Sequence, residues 1–373
     1  MVAMSTAHTS ADRVERTALG NGRSGWWVGD HAAARAVLAD LRFSSAAAAD
    51  PWVNRGRDVP LNPRSILGMD PPEHTRMRKP SLKLFTPAHA ERLRGLLERT
   101  AEDLLDGLGD PPADLLETFV APFTSAGITA ALGLPPVDHA LVRELSRPVL
   151  ALTAEQAAGA GEAAARYAEF VHGLLRDPAA WGGDSAVAEL MAAHDDPGEA
   201  VRMTAFMLVS GHVSTSVQLS NGVLELLAHP DQWRRLVAEP ALVDRAVEEL
   251  LRFTPPEAHA LHPRMAVEDV DLAGLPISAG DLVFVCPRQA NRDPAVFPDP
   301  DRLDITRESC PHVTFGPGRH YCVGVHLARV ELRVALAVLA RRLPGLRLAV
   351  PRSEVRHREG LQFRELFTLP VRW

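Results

Sequence analysis

Only three cysteines, two lysines and two tyrosines occur among the 373 residues. Cys286, Cys310 and Cys322 are too sparse, and odd in number, for a disulfide framework, and no Cys-x-x-Cys pair suggests zinc. Basic side chains number 40 against 47 acidic ones, a net charge of -7 that argues against a nucleic-acid partner. Residues 1–21 lack the apolar stretch of a secretory signal. One run, 203–224, contains no formal charge. It nevertheless carries Ser210, His212, Ser214, Thr215, Ser216, Gln218, Ser220 and Asn221, too many polar groups to face lipid. A helix buried in protein fits better, so the expectation is a soluble, cytoplasmic chain with no membrane partner.

Hydrophobic residues make up 46% and charged residues 23%, which excludes wholesale disorder and permits a large core. Apolar residues recur at three- and four-residue intervals over 88–108, 142–152, 157–175, 201–228, 231–238, 241–253 and 325–343, predicting helices. Proline and glycine clusters at 109–112, 133–136, 179–183 and 254–256 separate them. Strand-like runs are short: 24–28, 264–266, 283–287 and 366–371. They do not alternate regularly with helices, which argues against a doubly wound sheet and for a mainly α fold with small β-sheets.

The stretch Phe315-Gly-Pro-Gly-Arg-His-Tyr-Cys322-Val-Gly324 is the most informative. Glycines and proline shape a tight loop, and a helical pattern starts directly after it. Cys322 therefore meets the positive end of a helix dipole and open backbone N–H groups, which stabilise a thiolate. Such a thiolate is either a nucleophile or a metal ligand. A dinucleotide-binding reading of Gly316-x-Gly318 fails, because the third glycine is misplaced and no βαβ unit follows. Cys286 and Cys310 read as structural thiols.

This loop resembles the haem-binding signature of the cytochrome P-450 family, with every specified position present. Other stretches of the chain resemble family landmarks in the family's order. Glu249-Leu-Leu-Arg252 is similar to the ExxR pair, 291–294 and 304–307 to the meander that adds Arg307 to it, and 70–78 to the helix carrying His74 and Arg78. Residues 369–373 resemble the family's C-terminus. The resemblance implies one cytochrome P-450 domain over 1–373, a triangular helical prism around a buried haem b. It implies Cys322 as the axial iron ligand, with Phe315 and Gly324 in its loop, and His74, Arg78, Arg264 and His320 as partners of the propionates. Glu249, Arg252 and Arg307 then form a structural network.

One motif departs from the pattern. Where the family has Ala/Gly-Gly-x-Asp/Glu-Thr-Thr, this chain has Ser210-Gly211-His212-Val213-Ser214-Thr215. Gly211 is expected to keep space over the iron, and Ser214 or Thr215 to hold a water. The acid of the family's proton relay is replaced by Val213, which carries no proton. The relay is then rebuilt from another group, or the substrate contributes. His212 reads as a packed histidine, and His259-Ala-Leu-His262 lacks a third metal ligand. Loss of the acid suits oxidative coupling of an aromatic natural product, such as a cyclic dipeptide. The alternatives are conventional hydroxylation or epoxidation, a peroxide-using enzyme, and a non-catalytic haem protein.

The family analogy walls the substrate pocket with 52–67, 157–175, 207–214, 258–263 and 365–368, where Asn62, Arg64 and Thr368 are the polar candidates. No flavin or nicotinamide segment is present, which implies ferredoxin and ferredoxin reductase as electron donors. The only lysines, Lys79 and Lys83, join Arg76 in a basic patch suited to an acidic ferredoxin.

Overall fold

Alternating and helical apolar spacings separate into two units in the computed structural model, which describes residues 13–18, 24–50, 62–153, 155–176, 186–194 and 196–373. The turn expected at 179–183 and the 52–61 part of the expected pocket wall lie outside the described residues.

The first unit comprises 1–77, 257–302 and 310–322. Its five-stranded sheet runs Val14–Ala18, Ser24–Val28, Leu282–Val285, Arg264–Ala266, Phe43–Ser44. Only Ser24–Val28 with Leu282–Val285 is a parallel pair. Helix α1 (His31–Ala39) starts at Asp30, whose carboxylate accepts the Ala33 N–H at 2.7 Å, a side-chain cap for an otherwise open donor. It buries Ala33, Ala34, Val37 and Leu38 among Val28, Phe43, Val283 and Val285. The Val270–Leu272/Leu275–Ile277 hairpin adds Val270, Leu272 and Ile277 to that core.

The second unit, 78–256, 303–309 and 323–373, holds the long helices. These are α2 (Arg94–Asp106), α3 (Ala121–Leu132), α4 (His139–Ser146), α5 (Ala160–Leu175), α6 (Pro197–Val209), α7 (Thr215–Ala228), α8 (Val243–Phe253) and α9 (Val325–Arg342). Helix α9 packs against α2, α7 and α8, and α6 against α5. A small sheet pairs Pro370–Arg372 with Ala113–Asp114 and Arg347–Leu348. No described helix is long and apolar enough to cross a membrane.

The helix expected over 142–152 runs instead from His139 to Ser146, and three further expectations change. The helix expected over 88–108 is two, Pro87–Arg92 and α2, because the Leu93 N–H turns back to the carbonyls of Ala90 and Glu91. The strand expected from 366 begins only at Pro370, since Asp114 takes the Leu369 N–H at 2.8 Å, away from any strand ladder. Helix α3 was not anticipated. Nine of its twelve residues are buried, so it has no polar face and hence no period to read.

Candidate functional site

Loop geometry around Cys322 follows from glycine. Gly316 and Gly318 have φ of +63° and +103°, which L side chains rarely adopt. A Cβ on Gly318 would lie 2.0 Å from the Leu38 carbonyl oxygen, so the loop can lie against α1 only with glycine there. The Cys322 N–H donates to the Phe315 carbonyl at 2.9 Å and closes the loop. Cys322 is half-buried and forms no disulfide. Gly324 caps α9, two residues beyond the cysteine, as the spacing predicts.

In the same unit, the basic groups gather. The His74 and His320 rings lie 4.2 Å apart between centroids, and His320 Nε2 is 3.0 Å from Ser45 Oγ. Arg264 is buried, and its Nη1 donates to the carbonyls of His262 at 3.0 Å and Pro263 at 3.4 Å. Burial lowers its pKa to about 10, against the pull of Asp70 and with the help of the Arg319 charge. Arg78, the first residue of the second unit, is half-buried and sits one turn after His74 on the Glu73–Leu82 helix.

In the second unit, the ExxR pair and Arg307 form the expected network. Arg252 donates to both carboxylate oxygens of Glu249, at 2.7 and 2.8 Å, with both side chains wholly buried. Arg307 Nε reaches Glu249 at 3.1 Å, and the Asp304 N–H adds a fourth bond at 2.9 Å.

The departing motif is a turn of π-helix, Ser210–Ser214, between α6 and α7. Such turns expose a carbonyl and concentrate at working sites. The Ser214 hydroxyl donates to the Ser210 carbonyl. A Cβ on Gly211 would lie 2.5 Å from Ile128 Cδ1, so close packing on α3 also asks for glycine there. Thr215 is buried beside Glu331 of α9. His212 is the packed histidine expected: its Nδ1 lies 3.0 Å from Thr124 Oγ1, and burial, with Arg143 nearby, takes its pKa down to about 3. Asn62, Arg64 and Thr368 are exposed to solvent. Among the described residues, no cluster of histidine, cysteine and carboxylate could hold a bare metal ion.

Comparison with known proteins decides the family. The cytochrome P450 family model matches residues 195–344. Nocardicin C N-oxygenase from Nocardia uniformis subsp. tsuyamanensis is 40% identical, over 96% of this chain and 92% of its own. The chain belongs to the cytochrome P450 family. Mycinamicin IV hydroxylase/epoxidase from Micromonospora griseorubida is 38% identical over 94% of this chain and 90% of its own. A crystal structure of a cytochrome P450 with biaryl coupling reactivity superposes with a TM-score of 0.87 at 36% identity, covering 97% and 93% of the two chains. This P450 is therefore a haem-dependent oxidoreductase with the P450 fold. The residues present fit such a group. A half-buried thiol ends a glycine-shaped loop, and the buried Arg264 guanidinium, bonded to neutral carbonyls, is the kind of cation an anionic propionate complements.

Two buried acids in this P450 escaped the sequence reading. Glu331 lies on the apolar face of α9, where a helical pattern calls for a hydrophobe. Burial lifts its pKa far above the carboxylate range, so it is neutral, and a Cβ on Gly127 would meet its Oε1 at 1.8 Å. The signal available was a lone acid inside Val330-Glu331-Leu332. Glu257, after Pro255-Pro256, is buried and its pKa rises to about 7. Its folded pKa exceeds the unfolded value of 4.5, so its stabilising contribution is complete below pH 4.5 and is lost as pH rises through 7. The loss amounts to about 3 kcal/mol at 1.36 kcal/mol per pKa unit. Urea unfolding at pH 4.5 and 8 should show Glu257→Gln gaining about that much on the wild type across the interval. An unchanged difference would place Glu257 at an ordinary pKa.

Proposed function

We propose that Cys322 is the axial thiolate of a haem b. In this reading, His74, Arg78, Arg264 and His320 hold its propionates, while Phe315 and Gly324 shape the thiolate loop. Bound through a thiolate, haem supplies oxidising power drawn from dioxygen and two electrons. Ferredoxin and ferredoxin reductase deliver those electrons, as soluble cytoplasmic donors. Lys79, Lys83 and Arg76 are all exposed, as docking requires, although Arg76 pairs with Glu73 at 2.5 Å and Lys83 lies 4.0 Å from Glu189.

The substrate is a compact aromatic natural product of bacterial secondary metabolism, and oxidative coupling is favoured over oxygen insertion. Val213 carries this reading: an aliphatic side chain stands at the family's acid position, in the π-helical turn. The Ser214 hydroxyl is tied to the Ser210 carbonyl, and a hydroxyl does not replace a carboxylate as a proton carrier. Coupling draws hydrogen atoms or electrons from phenol or indole groups and leaves less for a protein relay to do. The similar structure described as having biaryl coupling reactivity supports it.

A second reading, conventional hydroxylation or epoxidation, is favoured by Glu331. Burial keeps this acid protonated, beside Thr215, which is next to Ser214 in sequence. Incubating the reconstituted enzyme with aromatic cyclic dipeptides under labelled dioxygen separates the two. Coupled products free of label are expected. Label in the product would overturn coupling in favour of oxygen insertion.

A further inference from the structure

Beside Val213 lies a group of charges that does not balance. The cavity there, about 10 Å³, is lined by Arg143, Ser146, Arg147, Leu150, Val213, Leu361, Phe363 and Glu365. Arg143 is 7% exposed and bonds Glu117 at 2.5 Å through Nη2, while its buried Nε and Nη1 have no hydrogen-bond partner. Arg147 is committed to Glu365, with bonds at 2.6, 3.1 and 3.2 Å. Arg358 completes the group. It stacks 4.2 Å over Phe367, feels all four other charges, and also has a buried Nε without a partner. Three guanidiniums thus face two carboxylates. The neighbouring His139 and His212 leave this count unchanged: both imidazoles are pushed towards the neutral form by burial and by Arg143.

A buried guanidinium with idle N–H groups is costly unless an anion or water satisfies it. We propose that Arg143, with Arg358 behind it, binds a carboxylate of the substrate beside Val213. This deepens the functional reading above, since it assumes that substrate reaches Val213. One missing charge asks for a monoanion, and the idle Nε and Nη1 N–H groups of Arg143 can both donate to one carboxylate oxygen. Space for one water-sized atom suits a single carboxylate oxygen rather than a phosphate. With room for one atom, the cavity takes a carboxylate oxygen alone, between the apolar walls Leu150, Val213, Leu361 and Phe363. Taken with the aromatic substrate proposed above, the class narrows to an aromatic carboxylic acid, of the kind an amino acid or short linear peptide provides, and away from a cyclic dipeptide, which has no free carboxylate. Its carboxylate restores a negative charge next to the position where the family pattern has an acid.

Equilibrium dialysis of the haem-loaded protein with radiolabelled phenylacetate, and with its neutral isostere phenylacetamide, tests this at pH 7.5. The acid should bind at least about tenfold more tightly, the range of a charge-assisted hydrogen bond. Arg143→Gln should erase that preference, Arg143→Lys should keep part of it, and Glu117→Gln should strengthen it. Circular dichroism of each variant checks folding. Equal retention of acid and amide by the wild type, including none of either, overturns the proposal. Failure of the functional reading looks different: acid preference would persist while no aromatic substrate gives an oxidised product.

Discussion

Replacing Cys322 with serine should abolish the thiolate-type Soret band of the reduced, carbon monoxide-treated protein and cut turnover more than about 100-fold. Changes one shell out from a bound metal already cost about 10- to 100-fold, and here the ligand itself is altered. Stability should change little, because the loop is closed by the Cys322 backbone N–H on Phe315 and by glycine at 318, not by sulfur. Cys286→Ser is the control. That thiol is buried, and burial raises its pKa, so it is held protonated and inert. An unchanged spectrum in Cys322→Ser, or loss of the band in Cys286→Ser alone, would remove the assignment of the iron ligand.

Arg252→Leu is expected to lose about 3 kcal/mol in urea unfolding, because it takes away the buried partner of the Glu249 carboxylate and leaves only Arg307 and the Asp304 N–H in a site with no solvent. That is a large fraction of the roughly 5–15 kcal/mol typical of a folded protein. Arg307→Leu removes a guanidinium that is 12% exposed, and with it the bond to Glu249, and should cost about 1–2 kcal/mol. The double variant Glu249→Leu/Arg252→Leu should be more stable than the sum of its single variants, since a buried pair is cheaper to delete whole than by halves. Additive losses would mean that the two charges do not depend on each other. The spectrum of haem-loaded protein should be unaltered wherever the fold survives, which separates this network from the iron site.

Much of this was legible along the chain. Motifs confined to one loop or one helix turn, such as 315–324 and Glu249-x-x-Arg252, carry their geometry in their spacing: three residues place two side chains on one helix face. Arg307 was identified from its motif, yet its bond to Glu249 crosses 58 residues and depends on how 303–309 folds back onto α8. The polar pocket candidates show the opposite outcome. Asn62, Arg64 and Thr368 had suitable chemistry, but the fold leaves them in water, while Arg143, Arg147 and Glu365 are drawn together from segments over 200 residues apart. No periodicity encodes such a meeting.

What the residues alone determined is the thiolate loop, the ExxR pair, the mainly helical character and the missing acid at 213, because each depends on residue type at short range. Tertiary packing decided the rest. Glu331 and Glu257 are ordinary acids in the sequence, and only burial makes them neutral or nearly so at working pH. Gly211 is a small residue until Ile128 fills the space beside it. Arg143 is one of many arginines until the fold removes its water and leaves two of its nitrogens without a partner. Solvent exclusion is a property of the assembled chain, and it turns these common side chains into specific chemical groups.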